Sequence, residues 1–103
     1  MFEIIQSEPF KKWLSGLKNY MVKVRIMSQL NKLEQGNLGD VEPVGSGVSE
    51  VKMHFGPGYR IYFKQIGSKI ILLLIGGTKS TQAKDIVRAK KIAGCCKEGE
   101  YNG

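Results

Sequence analysis

Seven polar and charged side chains follow the pattern that a chemical site on a sheet requires. Six alternate with apolar residues between positions 48 and 64, and a seventh comes after the next strand: Glu50, Lys52, His54, Arg60, Tyr62, Lys64 and Lys79. Alternate residues of a strand point to one face, so we expect the first six to lie together on rigid backbone. Their chemistry suits the cleavage of RNA without a metal ion.

Each step of that reaction has a candidate residue. The ribose 2′-OH must lose a proton, and Glu50 or His54 is the candidate general base. Negative charge then builds on the phosphorane, where the planar fork of Arg60 can bond two oxygens at once. Lys52 and Lys79 add positive charge. The leaving 5′-oxygen must finally gain a proton.

One of two candidate tyrosines and three of the charged residues have a second interpretation. Tyr59 or Tyr62 can stack on a base that is splayed out of its strand, although Tyr62 on the polar face equally suits packing against the sheet. Glu50 next to Arg60 is also typical of a cross-strand ion pair. His54, at the end of its strand, equally suits a solvent-facing position without a chemical role.

Positive charge is concentrated in one half of the chain. The formal net charge is +7, and residues 52–97 contain ten basic residues against the single acid Asp85. Such a field attracts phosphate-bearing partners, although a solvated basic surface is the alternative. The remaining candidate RNA contacts are two lysines near the third predicted strand and three cations along the last helix: Lys64, Lys69, Lys84, Arg88 and Lys91.

The hydrophobic pattern predicts the elements that hold these residues. Strands are predicted at residues 2–6, 48–55, 59–66 and 69–75 from alternation and β-branched content. Ser7 and Pro9 begin a first helix, a second starts near Tyr20, and a third covers residues 82–93. Residues 36–47, rich in glycine and acids, are predicted to be a loop.

The expected fold is α+β, a single domain in which a helical hairpin packs on one face of a mainly antiparallel four-stranded sheet. The element order is β-α-α-β-β-β-α. The domain is predicted to span residues 1–93, and residues 94–103 are predicted to form a disordered tail.

Several classes of protein are disfavoured by composition. The longest apolar run, residues 70–75, is too short to cross a bilayer, and the N-terminus lacks the pattern of an export signal. Cys95 and Cys96 are adjacent, which suits reduced thiols better than a disulfide, and a single histidine gives no zinc-ligand set. We therefore expect a cytoplasmic protein without a metal or small-molecule cofactor and without membrane contact.

Residues 49–63, 73–82 and 85–86 together resemble the addiction-module killer proteins, HigB-like members of the RelE/ParE toxin superfamily. Residues 36–40 and 43–45 fit as well, so the resemblance covers nearly all of residues 2–93. It implies a toxin that is paired with a helix-turn-helix antitoxin. In one branch of the superfamily the toxin enters the ribosomal A site and cuts mRNA. In another branch it poisons DNA gyrase, and a non-toxic RNA-binding relative is a third alternative.

The resemblance also implies roles for individual residues. Arg60 matches the family's strand arginine after a Gly-Tyr pair, Lys79 matches the basic residue after the last strand, and Lys52 falls where these proteins carry Lys or Arg. The sequence departs from the pattern twice. Thr78 replaces an aspartate common in close relatives, and the C-terminal Tyr or His of ribosome-dependent relatives has only Tyr101 as its counterpart.

Overall fold

A five-stranded sheet forms the centre of the fold, with helices on both of its faces. The computed structural model describes residues 1–95. Its elements are β1 (Glu3–Gln6), α1 (Glu8–Gly16), α2 (Tyr20–Glu34), β2 (Asp40–Gly45), β3 (Val48–Lys52), β4 (Tyr59–Ile66), β5 (Ile70–Thr78), a 3-10 turn (Lys79–Thr81) and α3 (Gln82–Cys95).

The sheet is mixed, with the strand order β1-β5-β4-β3-β2. β1 runs parallel to β5, and the other neighbouring pairs are antiparallel. An α+β fold with a helical hairpin is confirmed, and β1, β3, β4 and β5 correspond to the four predicted strands. The predicted strand count was wrong, because β2 is a fifth strand and the element order becomes β-α-α-β-β-β-β-α.

β2 lies inside the segment that the sequence predicted to be a loop. It pairs with β3 from Asp40 opposite Lys52 to Gly45 opposite Val48, with a shift of register between Pro43 and Gly45. The side chain of Val41 packs on the hydrophobic core. Pairing with a neighbour therefore outweighs the poor strand propensity of this glycine- and acid-containing segment.

Two side-chain caps fix the helical hairpin. The hydroxyl of Ser7 accepts a hydrogen bond from the Phe10 amide at 3.2 Å and donates to the Leu74 carbonyl at 2.9 Å, so it joins the start of α1 to β5. Asn19 accepts from the amides of Met21 and Val22 at the start of α2. These contacts satisfy amide groups that have no partner inside the helix.

The hairpin covers the sheet face that the alternation predicted. Phe10 of α1 and three residues of α2 pack there against strand residues and one residue just after β3, all with little or no exposure: Ile26, Leu30, Leu33, Val51, Met53, Ile61, Phe63, Ile71 and Leu73. This confirms the predicted core face of β3 and β4.

The other face of the sheet is covered as well, by α3. Ala89 and Ala93 pack on it together with buried residues of β3, β4 and β5: Val48, Tyr62, Ile66, Ile70, Leu72, Leu74 and Ile75. The prediction of an open polar face was therefore wrong over much of its area, since Glu50 and Tyr62 are fully buried and Arg60 is 9% exposed. Among residues 1–95, no helix has the length and apolar character needed to cross a membrane.

Candidate active site

The register of the sheet places the polar residues in two adjacent rows beneath and beside α3. Lys52 of β3 is opposite Arg60 of β4, which is opposite Gly77 of β5. In the next row Glu50 is opposite Tyr62. Residues directly opposite each other share a face, so β3 and β4 bring these four side chains together as the alternation predicted.

Glu50 is the centre of a buried hydrogen-bond network. Its carboxylate accepts from the Tyr62 hydroxyl at 2.9 Å, from the Gln82 side-chain amide at 2.9 Å and from Arg60 Nη1 at 3.3 Å. Gln82 is the first residue of α3, and sequence reasoning did not single it out. The network ties the start of α3 to β3 and β4.

This network corrects two of the roles expected from the sequence. The Glu50 carboxylate is fully buried and already holds three donors, so it is not placed to take a proton from an incoming 2′-OH. The ring of Tyr62 is fully buried too and cannot stack on a base. Glu50 instead forms the ion pair with Arg60 that was the alternative interpretation.

Tyr62 remains a neutral hydrogen-bond donor. Burial raises the pKa of its phenol well above the usual value, and the hydrogen bond to Glu50 and the nearby negative charges of Glu50 and Asp85 raise the pKa further. The phenol therefore keeps its proton and continues to donate to Glu50 at physiological pH.

Arg60 keeps unused hydrogen-bonding capacity. Its side chain is 11% exposed, and Nη1 bonds to Glu50. Nε is buried without a hydrogen-bond partner among the described residues. A guanidinium has five N–H donors, so an arginine fixed by one carboxylate can still present N–H groups to a phosphate.

Lys79 is exposed at the start of the 3-10 turn, close to the tight turn between β3 and β4. Its amide donates to the Pro57 carbonyl at 3.4 Å. Gly58 has a φ of +77°, its amide donates to the Phe55 carbonyl at 3.1 Å, and a Cβ at that position would lie 3.2 Å from Lys79 Cβ. Lys79 therefore lies against the turn that leads directly into Tyr59 and Arg60.

β2 supplies acidic partners for two of the candidate catalytic residues. Lys52 Nζ lies 2.9 Å from Glu42 Oε2, and His54 Nε2 lies 2.6 Å from Asp40 Oδ2. The hydrogen bond with Glu42 raises the pKa of Lys52, which keeps its ammonium charged. The sequence reasoning missed both acids because it placed them in a loop, although Asp40 and Glu42 flank Val41 in a strand-like alternation.

The other candidate RNA contacts lie in different places. Tyr59 is half-buried, and its ring packs against Phe55 at a centroid distance of 5.3 Å. Lys64, opposite Val48, and Lys69, in the β4–β5 turn, lie toward the end of β4 away from Arg60. The three cations of α3 flank an apolar groove that contains Ala83 and the exposed Val87: Lys84, Arg88 and Lys91.

Two glycines of β5 allow helices to approach the sheet closely. A Cβ at Gly76 would overlap the Trp13 ring of α1, and a Cβ at Gly77 would overlap the Asp85 carboxylate of α3. Asp85 also accepts a hydrogen bond from the Thr81 hydroxyl at 2.5 Å. The start of α3 is therefore fixed directly above the Arg60 row.

The C-terminal predictions concern a segment that the structure describes only in part. α3 continues through Gly94 and Cys95, two residues into the predicted tail. Cys96, Tyr101 and the rest of that tail lie outside the described residues.

Comparisons with known proteins give one relative in sequence and several in structure. An uncharacterized protein of Haemophilus influenzae is 44% identical over 84 residues, which cover 82% of this chain and 85% of that protein. No family model matches the chain.

The solved structures that resemble this chain share its fold at low sequence identity. A mutant of the Escherichia coli toxin RelE in the free state has a TM-score of 0.69 at 16% identity, covering 87% of this chain and 95% of that one. The E. coli RelBE toxin-antitoxin complex gives 0.61 at 14%, covering 76% and 96%. YafQ from E. coli gives 0.53 at 21%, covering 80% and 98%. The expected RelE-like fold is thereby confirmed.

Proposed function

We propose that this chain, which belongs to one family with the Haemophilus influenzae protein and has the fold of the RelE superfamily, is the toxin of a type II toxin-antitoxin module. It acts in the cytoplasm as a ribosome-dependent endoribonuclease that cuts mRNA and stops translation. The observation that carries this proposal is the position of Arg60. Buried Glu50 holds its guanidinium, Lys52 is opposite it in the sheet, and exposed Lys79 lies against the turn before it. A fixed cationic cluster of this kind suits a phosphorane.

The chemistry requires no cofactor. The 2′-oxygen of one nucleotide attacks its own 3′-phosphorus, the O2′–P bond forms, and the bond from phosphorus to the 5′-oxygen of the next nucleotide breaks. The leaving 5′-oxygen takes up a proton from solvent, so the products are a 2′,3′-cyclic phosphate and a free 5′-hydroxyl. Unused N–H groups of Arg60 and the ammonium of Lys79 stabilise the charge that builds on the nonbridging oxygens, and Lys52 positions the phosphate.

His54 is the residue best placed to accept the proton of the 2′-OH. Its side chain is 75% exposed, and the Asp40 carboxylate lies 2.6 Å from Nε2. A carboxylate bonded to one ring nitrogen orients the imidazole and leaves the other ring nitrogen to accept the 2′-OH proton, as in other sites where a carboxylate positions a general base. Glu50, already bonded to three donors, acts as an anchor for Arg60 and not as a base.

Induction of the protein in growing bacteria tests the proposal. We expect transcripts to be cut within codons while chromosomal DNA stays intact. Lys79→Gln should abolish the cuts without changing the fold, since Lys79 is exposed. Arg60→Lys keeps a cation beside Glu50 but loses the planar fork, and we expect severe loss of cleavage. Lys11→Gln, on the outside of α1, is the matched control.

A different result would favour one of the other branches. Broken chromosomal DNA with intact transcripts would overturn the ribonuclease assignment in favour of gyrase poisoning. RNA binding with neither RNA cleavage nor DNA breaks would assign the chain to a non-toxic relative.

The proposed partner is a cognate helix-turn-helix antitoxin, and the outer surface of α3 fits an acidic segment of it. Three cations surround Val87, which is 55% exposed: Lys84, Arg88 and Lys91. Replacement of these cations by glutamine should weaken antitoxin binding more than ribosome binding. The reverse order would assign this surface to ribosomal RNA.

A further inference from the structure

A groove lies between α2 and the end of β3, on the side of the molecule away from α3's apolar surface. Its volume is about 320 Å³, within the range of small-ligand sites. Four residues of α2 line it, namely Arg25, Ser28, Gln29 and Lys32, together with Lys52 of β3 and the chain around the ends of β2 and β3. The α2 residues belong to none of the sites described above.

The four α2 residues form one polar face of the helix. Positions 25, 28, 29 and 32 are spaced at i, i+3, i+4 and i+7, so their side chains point the same way. Arg25 and Lys32 lie about 10 Å apart along the helix axis at 1.5 Å per residue. The two ends of this face are therefore cationic, with the Ser28 hydroxyl and the Gln29 amide between them.

Arg25 is held in place by an aromatic ring. Its guanidinium carbon lies 3.9 Å from the centroid of the Phe55 ring, and Phe55 in turn packs against Tyr59. A guanidinium stacked on a ring keeps its N–H edges free for hydrogen bonds and loses less side-chain entropy when it binds an anion. The stack also connects the groove to the turn that precedes Arg60.

The charges of the groove favour an anion. The carboxylate of Asp40 is already paired with His54, and Lys52 is paired with Glu42. Within residues 1–95, Arg25 and Lys32 take part in no ion pair. Arg25 and Lys32 therefore bring two positive charges against the single carboxylate of Asp40, so the groove stays net positive even when His54 is neutral.

We propose that this groove binds a phosphodiester of single-stranded RNA next to the cleavage position, with Arg25 and Lys32 as its ligands. Lys52 lines the groove and is opposite Arg60 in the sheet, so one RNA strand can contact both places. The identification of this RNA with the reaction's substrate rests on the proposed function, but binding itself does not.

The first test measures the affinity of the purified protein for a labelled single-stranded RNA of about ten nucleotides, over a range of salt concentrations. In Arg25→Gln/Lys32→Gln we expect Kd to rise about two- to fivefold for each lost cation. The slope of log K against log salt should fall by about 0.7 for each. The control, Lys12→Gln/Lys18→Gln, removes two exposed cations that have no ion pair among the described residues; they lie on and after α1, which packs on β5.

Ribosome measurements then identify the source of the RNA. Slower cleavage on mRNA-programmed ribosomes with unchanged binding to vacant ribosomes assigns the phosphate to mRNA, whereas weaker binding to vacant ribosomes assigns it to ribosomal RNA. Either result supports the groove. If the wild type binds RNA through these residues but cleaves nothing, the groove stands and the proposed function fails.

Two results would overturn the inference. The first is an affinity and salt slope in the double variant equal to those of the control. The second is unchanged RNA affinity with weakened binding to polyglutamate, which would identify an acidic protein as the ligand.

Phe55 supplies an independent check as a positioning residue. Phe55→Leu keeps an apolar side chain but removes the ring under Arg25, so we expect it to weaken RNA binding in the wild-type background. In an Arg25→Gln background Phe55→Leu should have no further effect. The conservative variant Phe55→Tyr keeps the ring, so we expect it to bind RNA with wild-type affinity. A loss of the same size in both backgrounds would show that Phe55 acts through the fold alone and would refute the stacking argument.

Discussion

The buried pair of Glu50 and Arg60 predicts a large energetic coupling between the two residues. Replacement of Glu50 by Leu leaves the guanidinium of Arg60 in a site with little solvent and removes the acceptor from Tyr62 and Gln82. Replacement of Arg60 by Met leaves a fully buried carboxylate with its two remaining donors. The double variant removes both charges and fills the space with apolar atoms.

The exposure of the two side chains sets the size of each effect. Loss of one partner from a buried pair typically costs about 3 to 5 kcal/mol. The Arg60 side chain is 11% exposed and still reaches water, which lowers the cost of Glu50→Leu, but the Tyr62 hydroxyl loses its acceptor. We expect about 4 kcal/mol for Glu50→Leu, about 3 for Arg60→Met and about 4 for the double variant. The coupling is then about 3 kcal/mol.

Urea unfolding of the four proteins at neutral pH measures this coupling. A reducing agent is needed because the thiol of Cys95 is exposed. A domain of this length has a total stability of about 5 to 15 kcal/mol, so each variant retains measurable folded protein at the upper part of that range. The surface pair of Glu8 and Lys11, treated in the same way, should show at most about 0.5 kcal/mol. Additive effects of Glu50→Leu and Arg60→Met would refute the anchoring role of Glu50.

Three further results are expected. Gly76→Ala should destabilise the fold by about 2 to 3 kcal/mol in urea unfolding, because the added methyl group overlaps the Trp13 ring. Gly16→Ala, with open space around it, should be neutral or slightly stabilising. Equal effects of the two changes would contradict the packing argument. The pKa of Tyr62 is raised in the folded state, so Tyr62 contributes stability that is fully present below its unfolded pKa of about 10. This stability is lost as pH rises from that value through the folded pKa. Unfolding free energies on both sides of pH 10 should show the loss in the wild type and less of it in Tyr62→Phe. His54→Gln should slow single-turnover cleavage about 100-fold with an unchanged unfolding midpoint, and undiminished cleavage would exclude His54 as the base.

Much of the fold was predictable from local pattern. Ser7 and Asn19 begin helices where short polar side chains precede apolar periodicity, and the alternation in β3 and β4 identified the face beneath the hairpin. β2 was not predictable in this way, because a strand with glycine, proline and two acids is stabilised mainly by pairing with β3. Its absence from the predicted sheet also hid the partners of Lys52 and His54.

The burial of the second face was predictable in principle from β5. Residues 70–75 are apolar without alternation, which requires cover on both faces of the sheet, and the apolar face of α3 had not been assigned to any partner. The polar residues Glu50 and Tyr62 suggested solvent instead. A carboxylate becomes compatible with burial once several donors converge on it, and the contribution of Gln82 depends on how α3 docks.

The acidic edge strand β2 bears on how the protein behaves at high concentration. An outer strand offers unpaired amides and carbonyls to a second sheet, and this is a common route to aggregation. Antiparallel pairing of two copies about the middle of β2 would bring Glu42 near its own counterpart, while Pro43 lacks an amide hydrogen and the shift of register beside it bends the strand. The carboxylates that hold Lys52 and His54 therefore also discourage two copies from joining edge to edge.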